Sequence, residues 1–196
     1  MEECYTSGLG IAVPDQPTII DIGANAGFFS VFAASRFPDA KIFSYEPIPN
    51  NFRQLQRNKR LNRDAQIFCF PKAVHSNSGE ISLSFDPSDI FTTSASIFET
   101  PGFQSETIRV PCVTLSEIFD EHHIERCDLL KMDCEGAEYD ILYSCPQNDL
   151  LRVSQMAIEV HKGTAPNQDM EFLIDYLTSN GFKTRRYSKH MLSAWR

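Results

Sequence analysis

The stretch Thr18-Ile-Ile-Asp-Ile-Gly-Ala-Asn-Ala-Gly27 contains the strongest local signal in this 196-residue chain. Its first five residues are mostly apolar and predict a buried strand over Thr18–Ile22. The small residues and glycines that follow let the backbone turn sharply and approach a ligand closely. A helix predicted over residues 27–37, which Pro38 ends, would then direct its unpaired N–H groups at a carboxylate or phosphate. The stretch therefore predicts a strand, loop and helix that bind a ligand at the carboxyl end of a strand.

Short apolar runs and longer amphipathic segments alternate on the C-terminal side of this stretch, which is typical of a parallel sheet with crossover helices. Two short runs after Gly181 are close enough to pair as an antiparallel hairpin at the sheet edge. Period-two alternation in Glu80–Phe85 predicts an inserted β-hairpin region around residues 79–111. We expect one domain over residues 1–196, with a short N-terminal segment of residues 1–17. The predicted strands are 18–22, 41–45, 66–70, 80–85, 128–132, 153–160, 182–187 and 191–195, and the predicted helices are 27–37, 50–62, 115–122, 137–144 and 169–180.

The overall charge and composition exclude several classes of function. The formal net charge of -8 disfavours nucleic-acid binding, because phosphate backbones are bound by clustered lysine and arginine. The basic residues between Arg53 and Arg63 fall in a predicted helix and indicate a solvated face. No apolar run approaches the roughly 18 residues that span a bilayer. The six cysteines form no C-x-x-C pair, so we expect reduced thiols in a cytoplasmic protein without a membrane partner.

The spacing of the glycines distinguishes two kinds of nucleotide site. The dinucleotide fingerprint G-x-G-x-x-G, counted from Gly23, requires glycine at positions 25 and 28. The chain has Asn25 and Phe28 there. The loop therefore suits the amino-acid portion of S-adenosylmethionine better than a pyrophosphate.

Glu46 ends the second predicted strand, 25 residues after Asp21. An acidic side chain at that position can accept hydrogen bonds from both ribose hydroxyl groups of a nucleoside. The alternative is a solvated glutamate ahead of a helix. Together with the loop at Gly23, Glu46 favours nucleoside binding.

Three motifs together resemble the FkbM family of S-adenosylmethionine-dependent methyltransferases. They are Ile20-Asp-Ile-Gly-Ala-Asn-Ala-Gly27, Tyr45-Glu-Pro47 and Lys131-Met-Asp-Cys-Glu-Gly-Ala-Glu138, with Val113-Thr-Leu115 and Glu159-Val-His161 also in family order. The resemblance spans about Thr18 to the C-terminus. It implies a Rossmann-like class I methyltransferase fold, α/β in class, with a mostly parallel seven-stranded sheet, an antiparallel C-terminal edge hairpin and helices on both faces.

The resemblance also implies which residues bind the methyl donor. The first motif would contact the donor, Glu46 and Pro47 would lie at its ribose, and the segment after the third strand would pack on its adenine. The fourth-strand motif would border the reactive methyl group. The implied donor-binding residues are Asp21, Gly23, Ala24, Asn25, Gly27, Glu46, Pro47, Ala73, Val74, Asp133 and Glu135.

Four ionisable side chains are predicted near the acceptor pocket: Asp133, Glu135, Glu159 and His161. Residues two apart in a strand share a face, so Glu159 can orient His161. Such a cluster can deprotonate a hydroxyl, hold a divalent cation or fix the sulfonium donor. We predict His161 as the general base, with Asp133 and Glu159 as the other catalytic residues, because imidazole titrates near neutrality. A structural histidine is the alternative. A magnesium ion on residues 133, 135 and 159 is compatible with the sequence but not required by it, so we predict no metal site.

The predicted reaction is transfer of a methyl group to a hydroxyl of a sugar, polyketide or other small metabolite, with S-adenosylhomocysteine as product. FkbM-like chains usually have a longer segment before the first strand than the 17 residues here. This difference suggests an open pocket for a carrier-bound substrate, or a domain of a larger biosynthetic assembly; a homo-oligomer is also compatible. The alternatives are a non-catalytic nucleoside-binding module of the same fold and a nucleotide-dependent oxidoreductase.

Overall fold

The computed structural model describes residues 14–85 and 106–196. Its strands and helices alternate along most of the chain, as the periodicity predicts. The strands are β1 (Thr18–Ile22), β2 (Lys41–Tyr45), β3 (Gln66–Phe70), β4 (Ala73–Val74), β5 (Gly79–Phe85), β6 (Glu106–Val113), β7 (Leu129–Met132), β8 (Gln155–Glu159), β9 (Lys183–Arg186) and β10 (Met191–Trp195). The helices are α1 (Phe28–Arg36), α2 (Pro49–Leu61), α3 (Leu115–Glu121), α4 (Glu138–Ser144), α5 (Gln147–Leu150) and α6 (Met170–Ser179).

Seven strands form one sheet in the order β3-β2-β1-β7-β8-β10-β9. The first five are parallel, while β10 runs antiparallel to both β8 and β9. The predicted sheet and its antiparallel C-terminal hairpin are therefore confirmed. Because the parallel strands β1, β2, β7 and β8 end at the same edge, the residues that follow them meet there.

Both faces of this sheet are covered by helices. Ile19 packs with Ala33 of α1 on one face, whereas Ile20 packs on the other with residues of α3, α4 and α6 such as Phe119 and Leu173. Both isoleucines are fully buried. Strands buried on both faces have nearly continuous apolar sequences, which is why these runs identify the sheet.

The inserted region forms a second sheet of three strands in the order β4-β6-β5. Strands β5 and β6 pair antiparallel, so the predicted hairpin is confirmed for its two strands, while residues 86–105 between them lie outside the described residues. The prediction missed β4, a two-residue strand that pairs parallel with the end of β6. This pairing attaches the inserted sheet to the chain immediately after β3.

Local sequence determines where the helices begin. Thr114 and Glu117 form a reciprocal capping box at α3, and the Asp169 side chain caps α6. Pro49 occupies the first turn of α2, where no N–H partner is available. The short helix α5 was not predicted, since four residues are too few to show a helical period.

Two other sequence-based expectations can be compared with the described residues. None of the helices there has the length and apolarity to cross a membrane. The cysteines of these ranges are all free of disulfide bonds, whereas Cys4 lies outside them.

Candidate active site

The loop after β1 is held tightly against the neighbouring strand ends. The N–H groups of Gly23 and Ala24 both donate to the carbonyl oxygen of Tyr45, at 3.1 and 3.0 Å. Gly23 has φ +71°, and a Cβ at this position would lie 1.8 Å from the carbonyl oxygen of Asp133. Only glycine therefore fits between β1 and the end of β7.

Asp21 has its side-chain partners within the protein. Its side chain is fully buried, accepts a hydrogen bond from Ser30 Oγ at 2.6 Å and pairs with Lys131 Nζ at 3.1 Å. The same ammonium group donates to the carbonyl oxygen of Gly23 at 2.7 Å. Asp21 does not line the cavity described next; these contacts support the loop, and direct contact with the donor stays a prediction.

A cavity lies at the edge where the parallel strands end. Ala24 and Gly27 are not among its lining residues; a Cβ on Gly27 would lie 2.4 Å from Leu55 of α2, so this glycine allows helix packing instead. The remaining predicted donor-binding residues do line it. They are Gly23, Asn25, Glu46, Pro47, Ala73, Val74, Asp133 and Glu135.

Glu46 is the buried carboxylate of this cavity, with 4% of its surface exposed. Its Oε2 accepts from the N–H of Asn25 at 2.7 Å and its Oε1 from the N–H of Ile48 at 2.8 Å. Each carboxylate oxygen can accept a second hydrogen bond, so the group can also accept hydrogen bonds from two hydroxyl groups. Burial raises the pKa of Glu46 to about 7, despite these two hydrogen bonds.

The inserted sheet provides an apolar wall to the cavity. Ala73 and Val74 of β4 line it together with Ile81 and Leu83 of β5. The prediction missed the last two, although the alternation of Glu80–Phe85 places them on one face of a strand. The sequence pattern identifies that face but not its partner. This wall suits an aromatic base better than a charged group.

The opposite end of the cavity is acidic and follows β7. Asp133 and Glu135 both line it, and Asp133 Oδ2 lies 3.8 Å from Lys131 Nζ. Glu135 has φ +53°, in the left-handed region that side chains rarely adopt. Burial raises the pKa of Glu135 to about 7, with the charge of His161 acting in the opposite direction.

His161 contacts two carboxylates, and neither belongs to Glu159. Its Nδ1 lies 2.9 Å from Oε1 of Glu138, and its Nε2 lies 3.5 Å from Oε2 of Glu135. The expectation that Glu159 orients His161 is therefore corrected: Glu138 does so. The side chain of Glu138 is fully buried behind His161.

The protonation of His161 bears on its predicted role. The hydrogen bond that His161 donates to Glu138 and the charges of the nearby carboxylates raise the pKa of His161 to about 9. At neutral pH the ring is then protonated, and a protonated imidazole cannot accept a proton. The general-base role of His161 stays a prediction, and this environment opposes it.

His122 is a half-buried histidine beside β2. Its ring stacks on Phe43 at 4.7 Å and its Nε2 lies 2.9 Å from the Tyr45 hydroxyl. Burial lowers the pKa of His122, so this histidine acts as an aromatic packing residue beside β2.

Asp133, Glu159 and His161 offer ligand atoms within 4.8 Å of one another, the spacing of a metal site. The sequence is compatible with magnesium on residues 133, 135 and 159, so this group has His161 in the place of Glu135. Both ring nitrogens of His161 face carboxylates, however, whereas a metal ligand needs a nitrogen with a free lone pair. The arrangement therefore favours an ion-paired histidine over a metal ligand.

We expect methyl transfer to persist after the protein is dialysed against EDTA, within about twofold of the untreated rate. Turnover with added magnesium should match that without it. Loss of activity with chelator and recovery with magnesium would instead assign residues 133, 159 and 161 as metal ligands. Methyl transfer with labelled donor measures this directly.

Comparison with known proteins shows the family to which the chain belongs. The model of the methyltransferase FkbM domain matches residues 21–184. The chain is 28% identical over 221 residues to the AMB antimetabolite synthetase AmbE of Pseudomonas aeruginosa, covering 93% of this chain and 10% of that protein. It is 26% identical over 188 residues to the 31-O-demethyl-FK506 methyltransferase FkbM of Streptomyces tacrolimicus, covering 82% of this chain and 71% of that protein.

A crystal structure of methyltransferase FkbM from Methylobacillus flagellatus KT has the same fold, with a TM-score of 0.69 at 16% identity. The superposition covers 98% of this chain and 46% of that one, so the chain spans less than half of that protein and one tenth of AmbE. The sheet order and this likeness establish the class I methyltransferase fold. With the family model matching most of its length, the chain belongs to the FkbM family of methyltransferases.

Proposed function

We propose that this chain transfers a methyl group from S-adenosylmethionine to a hydroxyl group of a small molecule, and releases S-adenosylhomocysteine. The observation that supports this most is that one cavity joins the Gly23 loop, the buried carboxylate of Glu46 and the acidic group at Glu135. Glu46 suits the nucleoside of the donor, the Gly23 loop suits its amino-acid portion, and the acidic group at Glu135 suits the reacting centre.

The residues present fit S-adenosylmethionine. Glu46 keeps acceptor capacity on both oxygens after its two backbone hydrogen bonds, as two ribose hydroxyls require. The apolar residues of β4 and β5 suit adenine, and the carboxylates at 133 and 135 suit a sulfonium cation. When bound, the donor supplies an electrophilic methyl carbon. The protein's own residues orient the two reactants and receive the acceptor proton.

The acceptor class rests on charge and on the relatives. The net charge of -8 opposes a polyanionic nucleic-acid substrate. One relative is named for methylation of 31-O-demethyl-FK506, which supports a hydroxylated natural product or sugar. Another, of which this chain matches one tenth, is named as an antimetabolite synthetase, which supports a place in a larger biosynthetic assembly.

Thermal unfolding in the presence of S-adenosylhomocysteine or NAD tests which of the two the protein binds. S-adenosylhomocysteine should raise the melting temperature, whereas NAD should leave it unchanged; the reverse would favour an oxidoreductase. Methyl transfer is then measured with isotopically labelled S-adenosylmethionine and a panel of hydroxylated sugars, hydroxy acids and 31-O-demethyl-FK506. Binding of S-adenosylhomocysteine without transfer to any acceptor would favour a non-catalytic module.

Donor affinity should depend on pH through Glu46. The ionised carboxylate accepts hydrogen bonds from the ribose hydroxyl groups, and the pKa of Glu46 is about 7. Affinity is therefore full above this pKa and falls as pH drops through it, so S-adenosylhomocysteine should bind about tenfold more weakly at pH 6 than at pH 8. Calorimetric titration measures this. Glu46→Gln should remove the dependence; a mutant that keeps the wild-type slope would attribute it to another group, such as Glu135.

A further inference from the structure

Glu135 has a strained backbone at the acidic end of the cavity. Its φ of +53° places a side chain in a conformation that costs about 1 kcal/mol or more. Strain of this kind persists where the surrounding structure enforces it. Here Asp133 precedes it at the end of β7 and Gly136, with φ +104°, follows it. The tight turn brings the Glu135 carboxyl into the cavity lining, with 28% of its side chain exposed.

His161 connects Glu135 with a second carboxylate behind it. Its Nδ1 lies 2.9 Å from Glu138 and its Nε2 lies 3.5 Å from Glu135. A neutral imidazole has one N–H donor, so it can satisfy only one of two ionised carboxylates. The contacts are both favourable when the ring is an imidazolium. His161 itself is absent from the cavity lining.

Glu138 is fully buried and fixed in place. Its Oε1 accepts from the N–H of Cys134 at 3.1 Å as well as contacting His161. A buried carboxylate is costly unless it is hydrogen-bonded and has a cationic partner. Tyr139 holds the backbone of His161 through a hydrogen bond from its hydroxyl to the carbonyl oxygen, at 2.7 Å. Glu138 and Tyr139 thus hold His161 against Glu135.

We propose that Glu135 takes up the proton of the acceptor hydroxyl, and that His161 and Glu138 are positioning residues that orient its carboxylate. This inference rests on the proposed function. In the reaction, the acceptor oxygen forms a bond to the methyl carbon while the sulfur–methyl bond breaks. Sulfur keeps the electron pair, and the hydroxyl proton moves to an oxygen of Glu135, from which it passes to solvent.

Burial and, to a smaller extent, the charges around Glu135 determine the pH at which it works. A base with a pKa of about 7 is ionised above neutral pH and still accepts a proton readily. Turnover should therefore rise as pH increases through 7. The imidazolium of His161 favours the ionised form of Glu135, whereas the nearby carboxylates oppose it. The groups that face this pair are Asp133, Cys134, Glu138 and Glu159.

Glu135→Gln tests the base role because it keeps the shape of the side chain and removes its basicity. We expect turnover to fall about 10²- to 10⁴-fold, the range for general-base catalysis, with affinity for S-adenosylhomocysteine within twofold of wild type. Exposed Glu125→Gln is the matched control and should match wild type. Near wild-type turnover in Glu135→Gln, or a loss confined to donor affinity, would overturn the proposal and leave Glu135 a donor-binding residue.

Glu138→Gln tests the positioning role through a property that a merely structural residue would not change. Ring-nitrogen NMR should find His161 protonated up to about pH 9 in wild type, and titrating closer to the ordinary histidine pKa of about 6.5 in the variant. Without that cation Glu135 is harder to ionise, so the rise of turnover should move to higher pH. An unchanged His161 titration with an unchanged pH profile would overturn the positioning role.

Different results would contradict the proposed function and the base role of Glu135. If wild type binds S-adenosylhomocysteine but transfers no methyl group to any acceptor of the panel, the proposed function fails and the base role with it. The NMR titration needs no acceptor and still decides whether Glu138 keeps His161 protonated. If wild type is active and Glu135→Gln is equally active, only the further inference fails.

Discussion

Replacing Glu46 by alanine is expected to weaken binding of S-adenosylhomocysteine by about 30- to 1,000-fold. Two hydrogen bonds from ribose hydroxyls to a charged acceptor contribute roughly 2 to 4 kcal/mol, and each 1.4 kcal/mol is a factor of ten in affinity. The carboxylate is buried and preoriented by the N–H groups of Asn25 and Ile48, so little ordering is left for binding to accomplish. Isothermal titration calorimetry at pH 8, where Glu46 is ionised, measures the loss.

The alanine variant also leaves those two N–H groups without an acceptor, so its folding must be tested separately. Glu46→Gln keeps an oxygen acceptor and most of the packing, and it should bind the ligand more weakly than wild type but fold better than the alanine variant. Exposed Glu80→Ala controls for loss of charge alone. Wild-type affinity in a folded Glu46→Ala protein would refute the ribose assignment.

The sheet and the loop of this protein could be predicted because local sequence determines both. Strands buried on two faces must be apolar along their length, and a residue whose Cβ would collide with the backbone of a neighbouring strand must be glycine. Gly23 meets the second condition against the carbonyl of Asp133, more than 100 residues later. The Glu46 position followed from its place after a strand.

The partners of Asp21 and Glu138 could not be predicted, because both partners are distant in sequence. Asp21 lies near the end of a strand, where ligand-binding residues are often found. Its carboxylate instead forms a buried ion pair with Lys131 of the neighbouring strand. A lone lysine within the apolar run Leu129–Met132 was the available signal, since a buried cation needs an anion. Glu138 lies in the first turn of α4, a position at which glutamate is often exposed. In the structure it is buried and pairs with His161, which follows β8.

The walls of the cavity were only half predictable for a similar reason. Alternation in β5 places Ile81 and Leu83 on a common face, but period-two patterns do not specify what that face covers. The inserted sheet reaches the cavity because β4 follows β3 directly and pairs with β6. A two-residue strand has no periodicity that a sequence pattern can show.

Alanine at position 23 is expected to destabilise the protein by more than about 3 kcal/mol, and alanine at position 181 by only about 1 to 2 kcal/mol. Both glycines have a positive φ, +71° and +86°, so both substitutions include the cost of a left-handed side-chain-bearing residue. A Cβ at 23 would lie 1.8 Å from a backbone oxygen, whereas a Cβ at 181 meets nothing within 4 Å. The pair separates backbone strain from steric clash.

The clash at position 23 cannot be relieved cheaply, because the loop is held from both sides. The N–H of Gly23 donates to Tyr45 of β2, and its carbonyl oxygen accepts from Lys131 of β7. Moving the loop away from Asp133 breaks these contacts and removes one hydrogen-bond acceptor of the buried lysine. Urea unfolding of the two variants measures the difference. Equal losses would show that strain alone explains the glycine at 23, and that the loop can shift without disturbing β7.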